Sequence, residues 1–279
     1  MKITYNSLFF FILTVFSIAN AMEEKTTTIA PIGKIVEFEG AADQVEKEII
    51  QQLVAGNLTN KPISIQIEKQ NQEKINQFID FLTKDPILIH NVVILSFFHD
   101  QLTEVPESIG KLTNLQSLCL QCNRLTTAPE FIKQLPNLQY LGLMGNNLKK
   151  VPEFIGQLDH LQTLGLAYNE LKKFPACITR LSNLETLNLA HNRLKKIPEI
   201  TELIKLKELY LQGNQLTTIP ECITRLTNLQ TLNLAGNNLE KGPEIIKQLA
   251  HLQSLRLDET LLDLQMDVMF RNLWLSNSN

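Results

Sequence analysis

The sequence predicts an α/β solenoid: short parallel strands stacked side by side, each followed by a segment that returns to the start of the next. A frame L-x-x-L-x-L-x-x-N-x-L-x-x-x-P-x-x-I-x-x-L-x-N begins at Leu115, Leu138, Leu161, Leu184, Leu206, Leu229 and Leu252, with an imperfect copy from Val92. The step is 23 residues, except for 22 between Leu184 and Leu206. Within each copy, apolar residues two apart, such as Leu187 and Leu189, share one face of an extended strand. An asparagine then recurs at Asn123, Asn146, Asn169, Asn192, Asn214 and Asn237. Self-similarity at a fixed period marks units that bury their apolar sides only against their neighbours.

This frame resembles the leucine-rich repeat family in its 23-residue form, over about eight units spanning residues 92–262. The resemblance implies a right-handed solenoid, or horseshoe, with a parallel concave β-sheet and a role in binding protein partners. The residues fit that shape on physical grounds. In one unit Leu184, Leu187 and Leu189 face inward, and Leu194, Pro198, Ile200 and Leu203 close the coil on the opposite side. A buried amide needs hydrogen-bond partners, so a stack of identical asparagines is expected to bond the turn backbone above and below. They form a structural ladder and are not catalytic candidates. The end units depart from the frame, with Asp100 in place of the first asparagine and Thr260 in place of the last. Eight strands about 4.8 Å apart make a sheet roughly 34 Å across, the scale of a protein-binding surface.

Residues 22–91 lack the frame but suggest an N-terminal α/β cap of two longer strand–helix units. After a polar stretch from Met22 to Ile32, Lys34 to Phe38 alternates as a strand should. A helix then carries Val45, Ile49, Ile50 and Leu53 on one face and stops at Gly56-Asn57. The strand Ile63–Ile67 precedes a helix with Ile75, Phe78, Ile79 and Leu82 at helical spacing, which Asp85-Pro86 is expected to end. Phe38, Ile67 and Phe97 fall 29 and 30 residues apart. Such units would extend the sheet and cover its first edge. An independent small domain is the alternative. Residues 263–279 hold an apolar cluster from Leu264 to Trp274, expected to close the last coil, and a polar tail. No catalytic domain is expected after the repeats.

Residues 1–21 read as a secretory signal peptide: Lys2, the apolar run Leu8–Ile18, and small residues at Ala19-Asn20-Ala21. A membrane anchor would need about 20 apolar residues, more than this run offers. The expected location is therefore periplasmic, cell-surface or secreted. Lysine plus arginine number 26 against 29 acidic residues, and cleavage would leave 25 against 29. That balance gives no attraction to nucleic acid. Secreted animal and plant members of the resembled family commonly carry cysteine-rich caps. Their absence here points to a bacterial source. In a eukaryotic one, Asn57-Leu58-Thr59 would accept a glycan.

The chemical candidates are weak. Cys119 and Cys122 make a C-x-x-C match, but on a strand rather than at the helix N-terminus that lowers a redox thiol's pKa. Cys177 and Cys222 share a slot with Phe131, Phe154 and Ile245, and read as small hydrophobes. The histidines His90, His99, His160, His191 and His251 form no metal-ligand spacing. No phosphate loop or nucleophile elbow occurs. No catalytic residue, cofactor site or metal site is assigned, and the protein is expected not to be an enzyme.

Strand alternation instead selects a partner-binding set on the concave face: Phe98, His99, Tyr140, Met144, Tyr168, Asn188, His191, Tyr210 and Asn233. Gly142, Gly165, Ala167, Ala190 and Ala235 are expected to leave hollows between them. Tyrosine and methionine are enriched at interfaces, and this face carries little charge through its middle; a surface with no partner is the plain alternative. Lys149, Lys150, Lys172, Lys173, Lys195 and Lys196 fill the same two slots of three successive repeats. They read either as a solvated edge, partly neutralised by Glu153 and Glu199, or as a stripe for an acidic partner or anionic surface. The expected function is non-enzymatic recognition of a protein partner by an exported, monomeric chain with no membrane span, in the manner of a host-directed effector or surface ligand. The alternatives are a self-assembling envelope protein and a thiol redox protein using Cys119 and Cys122.

Overall fold

A computed structural model describes residues 36–258, apart from 59–60, 69, 241–244, 246–247 and 250–251. The segment expected to be a signal peptide, the polar stretch after it, Thr59, His251, Thr260 and the C-terminal cluster lie outside the described residues. Ten strands form one open sheet in chain order, every neighbouring pair parallel. The first three are β1 (Val36–Gly40), β2 (Ile63–Glu68) and β3 (Val92–Phe98). The rest are three-residue strands, one per repeat: β4 (Ser117–Cys119), β5 (Tyr140–Gly142), β6 (Thr163–Gly165), β7 (Thr186–Asn188), β8 (Glu208–Tyr210), β9 (Thr231–Asn233) and β10 (Ser254–Arg256). Their central leucines, Leu118 through Leu232, have no solvent exposure. With the leucines two residues on, they make a continuous apolar core behind the sheet.

The return segments show why the period is 23. After the proline, five residues wind into a short 3-10 turn in most repeats, as at Glu130–Gln134, Glu153–Gln157 and Ala176–Arg180. Each turn buries its isoleucine: Ile132, Ile155 and Ile178 have no exposure. The 22-residue unit has one residue fewer between Pro198 and Ile200, and runs there without a 3-10 turn. Ile200 still reaches the core, so the deletion is absorbed on the convex side without disturbing the sheet.

Two strand–helix units precede the repeats in the same sheet, and β2 rather than solvent flanks β3. Helix α1 (Ala42–Val54) buries Val45 and Ile49, but Ile50 is 42% exposed. Ile50 therefore lies off the apolar face expected of it, one residue past Ile49 and so about 100° round the helix. Gly56, in the left-handed region at φ 68°, donates its N–H to Leu53 O and ends α1. Helix α2 (Gln72–Leu82) starts where the Asn71 side chain accepts the Lys74 N–H at 2.9 Å, and it buries Ile75, Phe78, Ile79 and Leu82.

Asp85-Pro86 does not end that helix. It opens a further one, α3 (Pro86–Asn91), where Asp85 Oδ1 accepts the N–H groups of Ile87 and Leu88 at 2.8 and 3.0 Å. Proline suits the first helical position because its missing N–H would be orphaned there anyway. Asp100 ties cap to repeats: its carboxylate accepts the Gln70 N–H at 2.6 Å while its own N–H donates to Asn123 Oδ1 at 3.2 Å.

Candidate protein-binding face

On the outer side of the sheet two rows of side chains flank the inward leucines. Register places Ser96, Cys119, Gly142, Gly165, Asn188, Tyr210, Asn233 and Arg256 in one row. The parallel row includes Ser117, Tyr140, Thr163, Thr186 and Glu208. Strands under 5 Å apart crowd their side chains on this face, and four of the nine expected docking residues are covered. Tyr140 is 5% exposed, Met144 and Asn188 2%, and Asn233 9%. Tyr140 bends over Gly142, where a Cβ would fall 3.0 Å from its ring, and its hydroxyl accepts the Gln121 side-chain N–H at 2.6 Å. The hollow expected at Gly142 is filled from within. Asn188 and Asn233 turn back to accept the N–H groups of Ala190 and Ala235. At Gly165 the expected hollow is also closed, since the residue is buried and an added Cβ would meet Gly142 Cα at 3.8 Å and Leu141 O at 3.9 Å.

The remaining five, Phe98, His99, Tyr168, His191 and Tyr210, reach solvent. Tyr210 is half-buried, its hydroxyl donating to Glu208 Oε2 at 3.2 Å, and burial together with that carboxylate pushes its pKa up to about 12. The Tyr210 phenol therefore stays protonated and keeps its donor through the physiological range.

Sequence reasoning missed a second column beside the asparagines. His99, Cys122, Gly145, Tyr168, His191, Gly213 and Gly236 occupy one slot and all have φ between 51° and 68°. That left-handed conformation suits glycine and costs other residues roughly 1–2 kcal/mol. The glycines in the slot were the legible signal, since three repeats place Gly where three others place rings. Side chains in this column lean toward the next repeat. Tyr168 stacks on His191 with centroids 4.2 Å apart and planes 11° from parallel, and His191 lies over Gly213. Burial within this stack lowers the His191 pKa and raises that of Tyr168.

The ladder asparagines are internal. Asn146, Asn169 and Asn192 each donate at 2.9 Å to a leucine carbonyl of the preceding repeat (Leu120, Leu143 and Leu166). Their Oδ1 atoms accept the N–H groups of Leu125, Leu148 and Leu171 at 2.9–3.0 Å. Asn123, Asn214 and Asn237 bond in the same way. A second amide series on the turns, Asn114, Asn137, Asn183 and Asn228, donates to backbone carbonyls one repeat back.

None of the four cysteines forms a disulfide, and burial raises the thiol pKa of Cys122, Cys177 and Cys222. A redox thiol needs the opposite shift. Cys119 lies in the outer row of the sheet but is covered there, at 7% exposure. Among the described residues no three histidine, cysteine or acidic groups gather as metal ligands, and no helix is long and apolar enough to cross a membrane. All six lysines of the stripe are exposed and form no ion pair among the described residues. Glu153 was expected to neutralise them, but it pairs instead with Arg180 at 2.8 Å, because the longer arginine of the next repeat reaches back to it.

This architecture defines a class, the open parallel-sheet solenoid. Three family descriptions then cover residues 91–248: "Leucine rich repeat" at 91–148, "Leucine-rich repeat region" at 130–199, and "Leucine Rich repeats (2 copies)" at 182–221 and 204–248. The chain is a leucine-rich repeat protein. Among solved structures it is similar to a leucine-rich repeat protein of Leptospira interrogans, with 35% identity, TM-score 0.59, and coverage of 72% of this chain and 48% of that one. An internalin of Listeria monocytogenes shares the fold at 23% identity and TM-score 0.60, covering 73% of this chain and 63% of that one. A plant peptide hormone receptor solved in complex with RGF2 matches at 25% identity and TM-score 0.57, over 79% of this chain and 38% of the receptor. The chain thus spans between about two fifths and just under two thirds of each. No curated protein matches its sequence.

Proposed function

We propose that this chain is an exported, non-enzymatic recognition module that grips a protein partner on its concave face around Tyr168, His191 and Tyr210. One observation carries the reading: Tyr168 and His191 hold stacked rings in a backbone conformation that three other repeats reserve for glycine. Strained residues that the fold does not require cluster at functional sites. Rigid aromatic anchors are also the residues that dominate interface energetics. The similarity to a peptide hormone receptor solved with its partner RGF2, and the repeat family's use as interaction scaffold, support a protein ligand. The similarity to a leptospiral protein supports a bacterial source, and residues 1–21 support export. A host-directed effector or surface ligand is the role consistent with all three.

The test uses the chain without residues 1–21 as bait, beside a Tyr168→Ala/His191→Ala/Tyr210→Ala variant of matched stability. The unaltered bait is expected to retain a partner that the variant loses by at least about tenfold in affinity, as removal of clustered anchors does. Equal capture by both baits would move the site off this face. Light scattering on the purified chain should show a monomer; a stable oligomer would favour the self-assembling envelope protein instead. Export is tested by sequencing the N-terminus of protein recovered outside the cytoplasm, where Met22 is the expected first residue.

A further inference from the structure

Beside the sheet, three successive repeats line a cleft of about 740 Å³. Its rim carries five cationic side chains, Lys149, Lys150, Lys172, Lys173 and Arg193, against two carboxylates, Glu153 and Glu170. Both carboxylates already have partners. Glu153 pairs with Arg180 at 2.8 Å and Glu170 with Arg193 at 3.8 Å. The four lysines have no ion pair among the described residues and are exposed. Their positive field is thus gathered in one place on a chain whose formal net charge is −3. The floor beneath them is apolar, made by the buried Val151, Phe174 and Pro175.

We propose that this cleft docks an acidic peptide segment of a protein partner, one with apolar side chains between its carboxylates. The volume far exceeds what a single phosphate would fill. Lysines supply point charges, without the bidentate fork that phosphate recognition favours, since both nearby arginines are engaged. The apolar floor is recessed, with Val151 9% and Phe174 8% exposed, so it cannot insert into a lipid surface yet can accept side chains that descend into the cleft. A nucleic-acid backbone would pair with the lysines but would bring no apolar side chains to the floor. An acidic, partly apolar peptide complements both rim and floor. The site is separate from the Tyr168–His191 face and does not depend on it.

The experiment measures binding of a fluorescein-labelled peptide of repeating Asp-Asp-Leu triplets to the full chain at low salt. It is repeated with a Lys149→Thr/Lys150→Thr/Lys172→Thr/Lys173→Thr variant. Threonine fills these slots at Thr126, Thr127, Thr217 and Thr218, so the fold should accept the change. The variant is expected to bind about tenfold or more weakly, with a shallower salt dependence. An Asp-Asp-Gly peptide of equal charge should bind less tightly than Asp-Asp-Leu. Phosphatidylserine vesicles and inorganic polyphosphate should compete poorly. Equal binding by the quadruple variant overturns the proposal, as does no binding of Asp-Asp-Leu by the unaltered chain. Equal affinity for Asp-Asp-Gly, or preference for polyphosphate or vesicles, overturns the peptide assignment. A Tyr168→Ala/His191→Ala variant should bind the acidic peptide unchanged; loss there would merge the two sites and remove this one.

Discussion

Tyr168 and Asn169 are neighbours in the chain but belong to columns that follow opposite rules. The asparagine column is uniform, because each amide satisfies an N–H and a carbonyl that the solenoid's tight turn leaves buried. The preceding column is equally uniform in backbone, φ 51–68° throughout, yet varies in side chain through His, Cys, Gly and Tyr. Its geometry is imposed by the turn, while its side chains project beyond the hydrogen-bonded interior. Repetition of residue type therefore marks the chemistry the fold needs. Repetition of conformation with changing residues marks the surface it leaves free.

The sharpest way to break this contrast is to attack the first column in its middle. Asn169→Ala would orphan the Leu148 N–H and the Leu143 carbonyl, at about 1–3 kcal/mol each and so roughly 3 kcal/mol together. Equilibrium unfolding in urea should show a loss of that size, and the half-buried Asn237 should lose less on the same change. A loss under about 0.5 kcal/mol at Asn169, the level of an ordinary surface substitution, would mean water or relaxation satisfies those groups and the ladder is ornamental.

A smaller effect is expected where glycine holds the second column. A Cβ on Gly213 would sit 2.5 Å from His191 Nδ1 and 2.9 Å from Cε1, at φ 66°. Gly213→Val should cost about 1–2 kcal/mol from the backbone alone, since a β-branched residue is a poor occupant of this region. Displacement of the His191 ring adds to that. In a His191→Gly background the ring contribution should vanish and the backbone contribution remain. An identical loss in both backgrounds would show that the imidazole moves aside freely.

How legible was all this in the sequence? The leucine, asparagine and proline slots determine the repeat's path, because each reports a backbone or packing requirement met once per turn. The helices around Val45 and Ile75 showed in their 3.6-residue spacing. Helix α3 was hidden because Asp-Pro serves equally as a stop and as an N-cap followed by a first helical residue. The candidate face was less readable. Alternation tells which way a strand residue points, but not whether a neighbour folds over it, as Tyr140 does over Gly142. Nor can it show Asn188 bending back to its own strand. The Glu153–Arg180 pair joins residues 27 apart, and only the stacking of repeats brings them together.

The finest test of the comparison is Tyr168→Gly, which should hardly move stability. Relief of a left-handed tyrosine returns about 1–2 kcal/mol, loss of the ring stack removes about 0.5–1.5, and glycine's extra chain entropy costs about 0.5–1. The net lies between about 1.5 kcal/mol destabilising and about 1 kcal/mol stabilising, while partner binding should fall. The variant also has a signature at His191. Burial lowers that imidazole's pKa from its ordinary 6.5, so on acidification the unfolded chain takes up the proton first. Stability therefore declines as pH drops below about 6.5 and levels off once the folded pKa is passed. Removing the Tyr168 ring exposes His191, so its pKa, followed by NMR, should rise toward the ordinary value and the acid-sensitive window should narrow. Severe unfolding of Tyr168→Gly would assign the ring to the scaffold, and full stability with undiminished partner binding would leave its strained backbone without a function.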